Sequence, residues 1–191
     1  MPEINEIRKF SDFIKDKIQN EKIIDIKILN GRYKKHGPFA KYTDIKNELP
    51  LKLLDVKTKG KFSYMVFEKD FYIFSTLGLS GGWCYLKNGA KTYNFSRTEE
   101  EWEEFTGEEE MSSYLKNALN HLNVEFKTKH GSLFYYDVLS FGSLKVIKSE
   151  VELNKKLNTI GPDIIDKTTT YDVFKERLLK KKNLTKLIGV V

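Results

Sequence analysis

Cysteine occurs once in these 191 residues, as Cys84. The chain therefore makes no internal disulfide and no zinc site of several cysteines. Only three histidines accompany it, and they form no constellation with metal-ligand spacing, so neither a metal nor a cofactor is expected. Long apolar runs are missing too: the start has none of signal-peptide length, and nothing is long enough to span a bilayer. The expected setting is a reducing compartment, cytoplasm or nucleus, without membrane attachment or secretion. No glycine-rich phosphate loop, Ser-His-Asp order, internal repeat or low-complexity segment is present. Proline is scarce at 4 residues, whereas 40% of the chain is apolar and 13% aromatic, which is a folding composition and not a disordered one. The length suits one medium domain, or one domain plus a fragment of another, and a monomer is expected.

Charge is abundant and unevenly placed. The net value is +6, yet Glu99–Glu110 ("EEEWEEFTGEEE") holds eight glutamates and no basic residue, so everything outside that window carries +14. A body that basic points to a polyanion, nucleic acid first among them, although a solvated lysine-rich surface has the same composition.

Ile4, Ile7, Phe10, Ile14 and Ile18 recur at spacings of three and four, which predicts an amphipathic helix over 3–19. Ile24, Ile26 and Ile28 alternate, as in a strand with one buried face. "NGRYKKHGPF" reads as a turn-rich basic loop. Short strands follow in "LKLLDVKTKG", "KFSYMVFEKD", "FYIFSTLG" and "WCYLK", separated by Gly60, Lys69-Asp70 and "GLSGG". Residues 97–120 break this pattern, acidic at first and then helix-like, and read as an insertion between strands. Strands resume in "NVEFKTK", "SLFYYDV" and "SLKVIKS", with a turn at His130-Gly131; Tyr171–Leu187 reads as helix. The expectation is an α+β fold: an N-terminal helix on a two-sheet antiparallel β-sandwich, then the start of a C-terminal helical domain. The expected division is 1–150 for the sandwich domain, 151–170 for a linker and 171–191 for an incomplete helical domain.

The most reactive group on offer is Pro2. Initiator Met is commonly removed before proline, which exposes a secondary α-amine that titrates near pH ~8, well below a lysine side chain. Its neutral form is a nucleophile. Attack on a sugar C1′ gives an iminium, the logic of Schiff-base catalysis, and a carboxyl at Glu3 is placed to serve as acid and then base. The plainer reading is that Pro suits the first turn of a helix and Glu its positive end.

The series "MPEINEIRKF", "ILNGRYKKHGP", "LLDVKTKGKFSYMVF", "STLGLSGGW", "SLFYYDVLSFGSL" and "LNTIGPDI" occurs in this order. It resembles the N-terminal domain of the formamidopyrimidine-DNA glycosylase/endonuclease VIII family of base-excision repair enzymes. The resemblance covers nearly the whole chain outside 97–120. It implies Pro2 as the Schiff-base nucleophile, Glu3 as general acid/base, Glu6 as a supporting acid and Lys61 as a phosphate-holding lysine beside the lesion. Arg32 would contact the DNA backbone or support its turn. Leu79 stands where the family often has a methionine that fills the gap left by an everted nucleotide, and Phe141 where a phenylalanine wedges against the orphan base. Leu139 and Ser140 depart from the pattern, because two arginines usually occupy those positions. His121 aligns with a family histidine and reads as structural.

Family members continue into a helix-two-turn-helix domain and a finger. "FKERLLKKKNLTKLIGVV" resembles the opening of that domain, so a fragment or a shortened paralogue with weakened DNA affinity is expected. The implied function is a bifunctional DNA glycosylase/AP lyase, acting on double-stranded DNA with an oxidised base or an abasic site and nicking by β/δ-elimination. The alternative is a non-catalytic DNA- or protein-binding remnant of the same fold, and a third is an unrelated basic β-domain.

Overall fold

The computed structural model describes residues 3–96, 113–161 and 169–180. Helix α1 (Ile4–Ile18) starts at Glu3, whose backbone N–H donates to Glu6 Oε2 at 2.6 Å as one half of a capping box. Lys15 and Lys17 sit in its last turn, where cations favour the helix dipole. Ile7, Phe10, Phe13, Ile14 and Ile18 are buried, and Ser11 joins them. Ile4, expected on the same stripe, is only half-buried at the open first turn.

Ten strands form two five-stranded antiparallel sheets. The single strand expected over Ile24, Ile26 and Ile28 is instead two, Lys22–Ile23 and Asp25–Ile28, which join different sheets; Ile24 between them is exposed, Ile26 is buried and Ile28 half-buried. One is built from β1 (Lys22–Ile23), β3 (Leu51–Lys59), β4 (Phe62–Phe67), β5 (Phe71–Thr76) and β10 (Ser143–Lys148), adjacent in that order. The other runs β2 (Asp25–Ile28), β8 (Leu122–Lys127), β9 (Gly131–Asp137), β6 (Gly81–Lys87) and β7 (Asn94–Phe95). Lys69 and Asp70 both take left-handed φ, 59° and 57°, at the β4–β5 hairpin, as a tight hairpin turn requires. Helix α1 packs on β3 and β4 of the first sheet and on β6 and β9 of the second. Its apolar stripe thus shares one core with Val56, Met65, Trp83 and Tyr135. The fold is α+β, a two-sheet antiparallel sandwich with helices, as expected.

Two further stretches differ from the sequence reading. The basic "loop" at 30–39 contains helix α2 (Gly31–His36), followed by α3 (Tyr42–Asn47). Turn signals at Gly31 and Gly37-Pro38 hid α2, which is anchored from outside its own sequence. Tyr33 is buried edge-on against Phe39 at 5.5 Å, and its hydroxyl accepts the Leu144 N–H at 2.5 Å. The stretch 151–170 begins as helix α5 (Glu150–Leu157), whose N-cap Ser149 accepts from Glu152 N and whose Leu153 is buried against the first sheet's outer face. The helix-like second half of 97–120 is helical as expected: α4 (Ser113–Asn120) buries Ala118 on the second sheet. The acidic residues 97–112 lie outside the described residues. Helix α6 covers Tyr171–Lys180, and the remaining residues to 191 also lie outside them.

Candidate nucleic-acid interface

Strand register gathers widely separated residues at one end of the first sheet. Ser63 pairs with Ser75 and Ser143 with Thr76. The β3–β4 turn (Gly60-Lys61), the β5–β6 loop (77–80) and the β9–β10 loop (138–142) therefore emerge side by side. Helix α1 brings its first turn to the same end: Ser11 Oγ lies 3.1 Å from Ser63 Oγ, and Lys61 Nζ is 3.4 Å from Glu3 Oε1. Both charged groups are solvent-accessible. Glu3, Glu6 and Lys61, 58 positions apart at the extremes, thus form one cluster. Glu6 is engaged in capping, accepting the Glu3 N–H. Pro2 lies outside the described residues.

The two neighbouring loops interlock. Gly78 has φ +57°, and a Cβ there would stand 2.7 Å from Gly142 N and 2.9 Å from Phe141 Cβ. Glycine is required twice over, by the left-handed backbone and by the close approach. Beneath them lies Asp137, 1% exposed, with Oδ1 accepting from Ser80 Oγ and Oδ2 from Gly142 N, both at 2.7 Å. Ser80 Oγ in turn accepts the Leu139 N–H at 2.8 Å. Tyr135 O–H donates to Thr76 O at 3.0 Å. Burial pushes the Tyr135 phenol well above the ordinary tyrosine value and raises Tyr33 as well, so both stay neutral hydrogen-bonding groups.

On top of this clamp stand three exposed apolar side chains, Leu79 (48%), Leu139 (51%) and Phe141 (66%). Isolated exposed apolar residues are ordinary, but three on two locked loops make an apolar prow beside the Glu3–Lys61 cluster. The sequence marked Leu79 and Phe141 for this position. It did not mark Asp137, Ser80 or Tyr135, although a buried aspartate is itself a signal, since an unpaired one would be too costly to keep.

Arg32 is exposed at the β10 side of this end, and its Nη1 donates to Gly142 O at 3.2 Å. It therefore braces the loop that carries Phe141. His121 serves locally, with Nδ1 2.8 Å from Asn117 O. Cys84 is fully buried and its thiol is pushed up by desolvation, which makes it a core residue and not a nucleophile. Among the described residues no group of His, Cys, Asp or Glu is arranged to hold a metal ion, and no helix is long and apolar enough to cross a membrane.

Residues 1–144 match the family described as the formamidopyrimidine-DNA glycosylase N-terminal domain. Two curated relatives are similar over 95% of this chain and 56% of their own length. They are the formamidopyrimidine-DNA glycosylases of Rickettsia conorii, 24% identical, and of Wolbachia pipientis subsp. Culex pipiens, 26% identical. The chain thus spans about half the length of the curated relatives it matches. Among solved structures, the Lactococcus lactis Fpg bound to an oxidised-pyrimidine DNA superposes with a TM-score of 0.65 at 22% identity, covering 94% of this chain and 57% of that one. The Lactococcus lactis Fpg with abasic-site DNA superposes equally well, at 0.65 and 22%, covering 94% and 56%.

Proposed function

This chain belongs to the formamidopyrimidine-DNA glycosylase family through its N-terminal domain, and from that premise we propose that it forms the chemical half of a bifunctional DNA glycosylase/AP lyase. Its partner is double-stranded DNA carrying an oxidised base or an abasic site. The observation that carries this reading is the convergence of Glu3, Lys61, Leu79 and Phe141 at one sheet end. In the proposed reaction the neutral Pro2 amine forms a bond to C1′ of the everted nucleotide. The base leaves with the glycosidic electron pair, Glu3 protonates the ring oxygen as the sugar opens, and loss of the amine proton leaves an iminium. A C2′ proton then passes to the Glu3 carboxylate, free again after protonating the ring oxygen. The resulting electron pair expels the 3′-phosphate and nicks the strand. Lys61 holds the phosphate that flanks the lesion, its ammonium already 3.4 Å from the Glu3 carboxylate. Leu79 and Phe141 fill the vacated stack, offsetting a few kcal/mol of unstacking. We assign residues 1–150 to this domain and the stretch from 171 to the opening of a helical DNA-gripping domain.

Borohydride trapping on abasic-site duplex, with intact mass to establish Met1 removal, tests the proposal. A covalent adduct is expected from the native terminus, and none from Pro2→Gly bearing one added N-terminal residue. Retained Met1, or no adduct on any substrate, overturns it; DNA binding without an adduct then identifies the non-catalytic remnant.

A further inference from the structure

Beyond the β9–β10 loop the sheet end continues into an open depression of about 530 Å³, lined by Arg32, Lys34, Lys35 and His36 from α2 and by Ser140 from the prow. No carboxylate lines it. Lys34, Lys35 and His36 are exposed, and none of these basic residues is paired with an acidic partner among the described residues. This differs from Lys41, Lys46, Lys61 and Lys69 elsewhere, each of which meets a carboxylate. Arg32 ties the depression to the prow through Gly142 O, and Tyr33 ties it to β10 through Leu144 N. The cations are therefore held at a fixed place relative to Phe141.

The strand order β3-β4-β5-β10 sets what lies along this edge. First comes the Glu3–Lys61 cluster at the β3–β4 turn, then Leu79 after β5, then Leu139 and Phe141 before β10, and last the basic depression. Two strand intervals, about 10 Å, separate β4 from β10, and the depression lies farther out. The edge thus carries a cation on one side of the apolar wedge and a group of cations on the other, as two backbones flanking one wedge require.

We propose that the α2 depression is a binding site for the phosphodiester backbone of the strand opposite the one held at Lys61. Lys34 and Lys35 supply the phosphate contacts and Arg32 positions the wedge. The prow itself carries no side-chain cation: Leu139 is apolar, and the Ser80 hydroxyl is engaged by Asp137 and by Leu139 N. Positive charge for the second strand thus comes from α2 and not from the wedge loop. This inference rests on the reading of Lys61 as the anchor of the damaged strand.

The test is equilibrium binding of the full chain to duplex and single-stranded oligonucleotides containing a stable tetrahydrofuran abasic analogue, over a salt series. Each phosphate contact contributes about 0.9 to the slope of log K against log salt on duplex. The K34A/K35A variant should lower that slope by about two and weaken duplex binding about 10- to 100-fold near 0.1 M salt. Single-strand binding should be unchanged, and K34R/K35R should restore the duplex slope. The charge-matched control K87A/K129A removes two lysines at the far end of the β6–β9 pair, where Lys87 faces Gly131, and should change neither. Equal losses on both DNA forms, no loss on duplex, the same loss in the far-end control, or a wild-type chain that binds no DNA overturns the site. Because the analogue requires no chemistry, a duplex slope that falls by about two in K34A/K35A, in a chain that gives no borohydride adduct, sinks the catalytic reading and supports the α2 site.

Discussion

Replacing Asp137 by alanine asks whether one buried carboxylate locks the two loops that form the prow. Its oxygens accept from Ser80 Oγ and Gly142 N at 2.7 Å each, at 1% exposure. Hydrogen bonds to a charged group contribute about 1.5–3 kcal/mol apiece. Gly142 N is buried, so alanine leaves it without an acceptor, whereas half-exposed Ser80 can turn to water. Removing the carboxylate also removes its own desolvation cost, which offsets part of the loss. The expected destabilisation is therefore about 2–4 kcal/mol for Asp137→Ala. Asp137→Asn separates shape from charge: one oxygen still accepts, while the amide N–H₂ faces the other donor, for an expected loss of about 1–2 kcal/mol. Urea unfolding reads both through the midpoint at constant m-value, and limited proteolysis at 138–141 reads local opening of the loop. An alanine variant that loses less than about 1 kcal/mol, with an unchanged proteolysis rate, refutes the clamp.

Two further perturbations follow from the same geometry. Gly78→Ala places a methyl 2.7 Å from Gly142 N on a left-handed backbone; the expected cost is about 2–4 kcal/mol, read as a lowered melting temperature, and a neutral effect would mean the loops are not interlocked. The Lys46 hydrogen bond holds the Asp25 carboxyl below its ordinary value of 3.8. With the folded pKa lowered, this stabilisation is complete above the unfolded value and is lost as pH falls through the folded one. The wild type should therefore lose a component worth less than about 1 kcal/mol as pH falls below ~4, and Lys46→Met should lack that component of the titration. Parallel curves for variant and wild type would contradict it.

Residues that act through their own neighbours were legible in the chain. The i, i+3, i+4 recurrence of Ile7, Phe10, Ile14 and Ile18 predicted α1, and each is buried at 3% or less. Short apolar runs bounded by turn residues located most of the strands, since tight turns are local properties; β5, β6 and β9 bury nearly every residue and do not alternate. The ordered motifs also marked Glu3, Lys61, Leu79 and Phe141, which meet at one sheet end. Helix α2 was not legible, because its anchors, Leu144 N and Gly142 O, lie 111 and 110 positions away. Asp137 was missed for the same reason, its partner Ser80 being 57 positions upstream.

By itself the sequence determined the local geometry and the chemical inventory: a helix opening on Glu3 and Glu6, short apolar strands parted by turns, a single cysteine and an excess of basic residues. Only the tertiary structure decided how those residues are shared out. Antiparallel register turns positions 61, 79, 141 and 32 into neighbours along one edge, and it sets the apolar prow between two groups of cations. That order follows from which strands pair, and pairing is a long-range choice made by the common core that α1 and both sheets bury together.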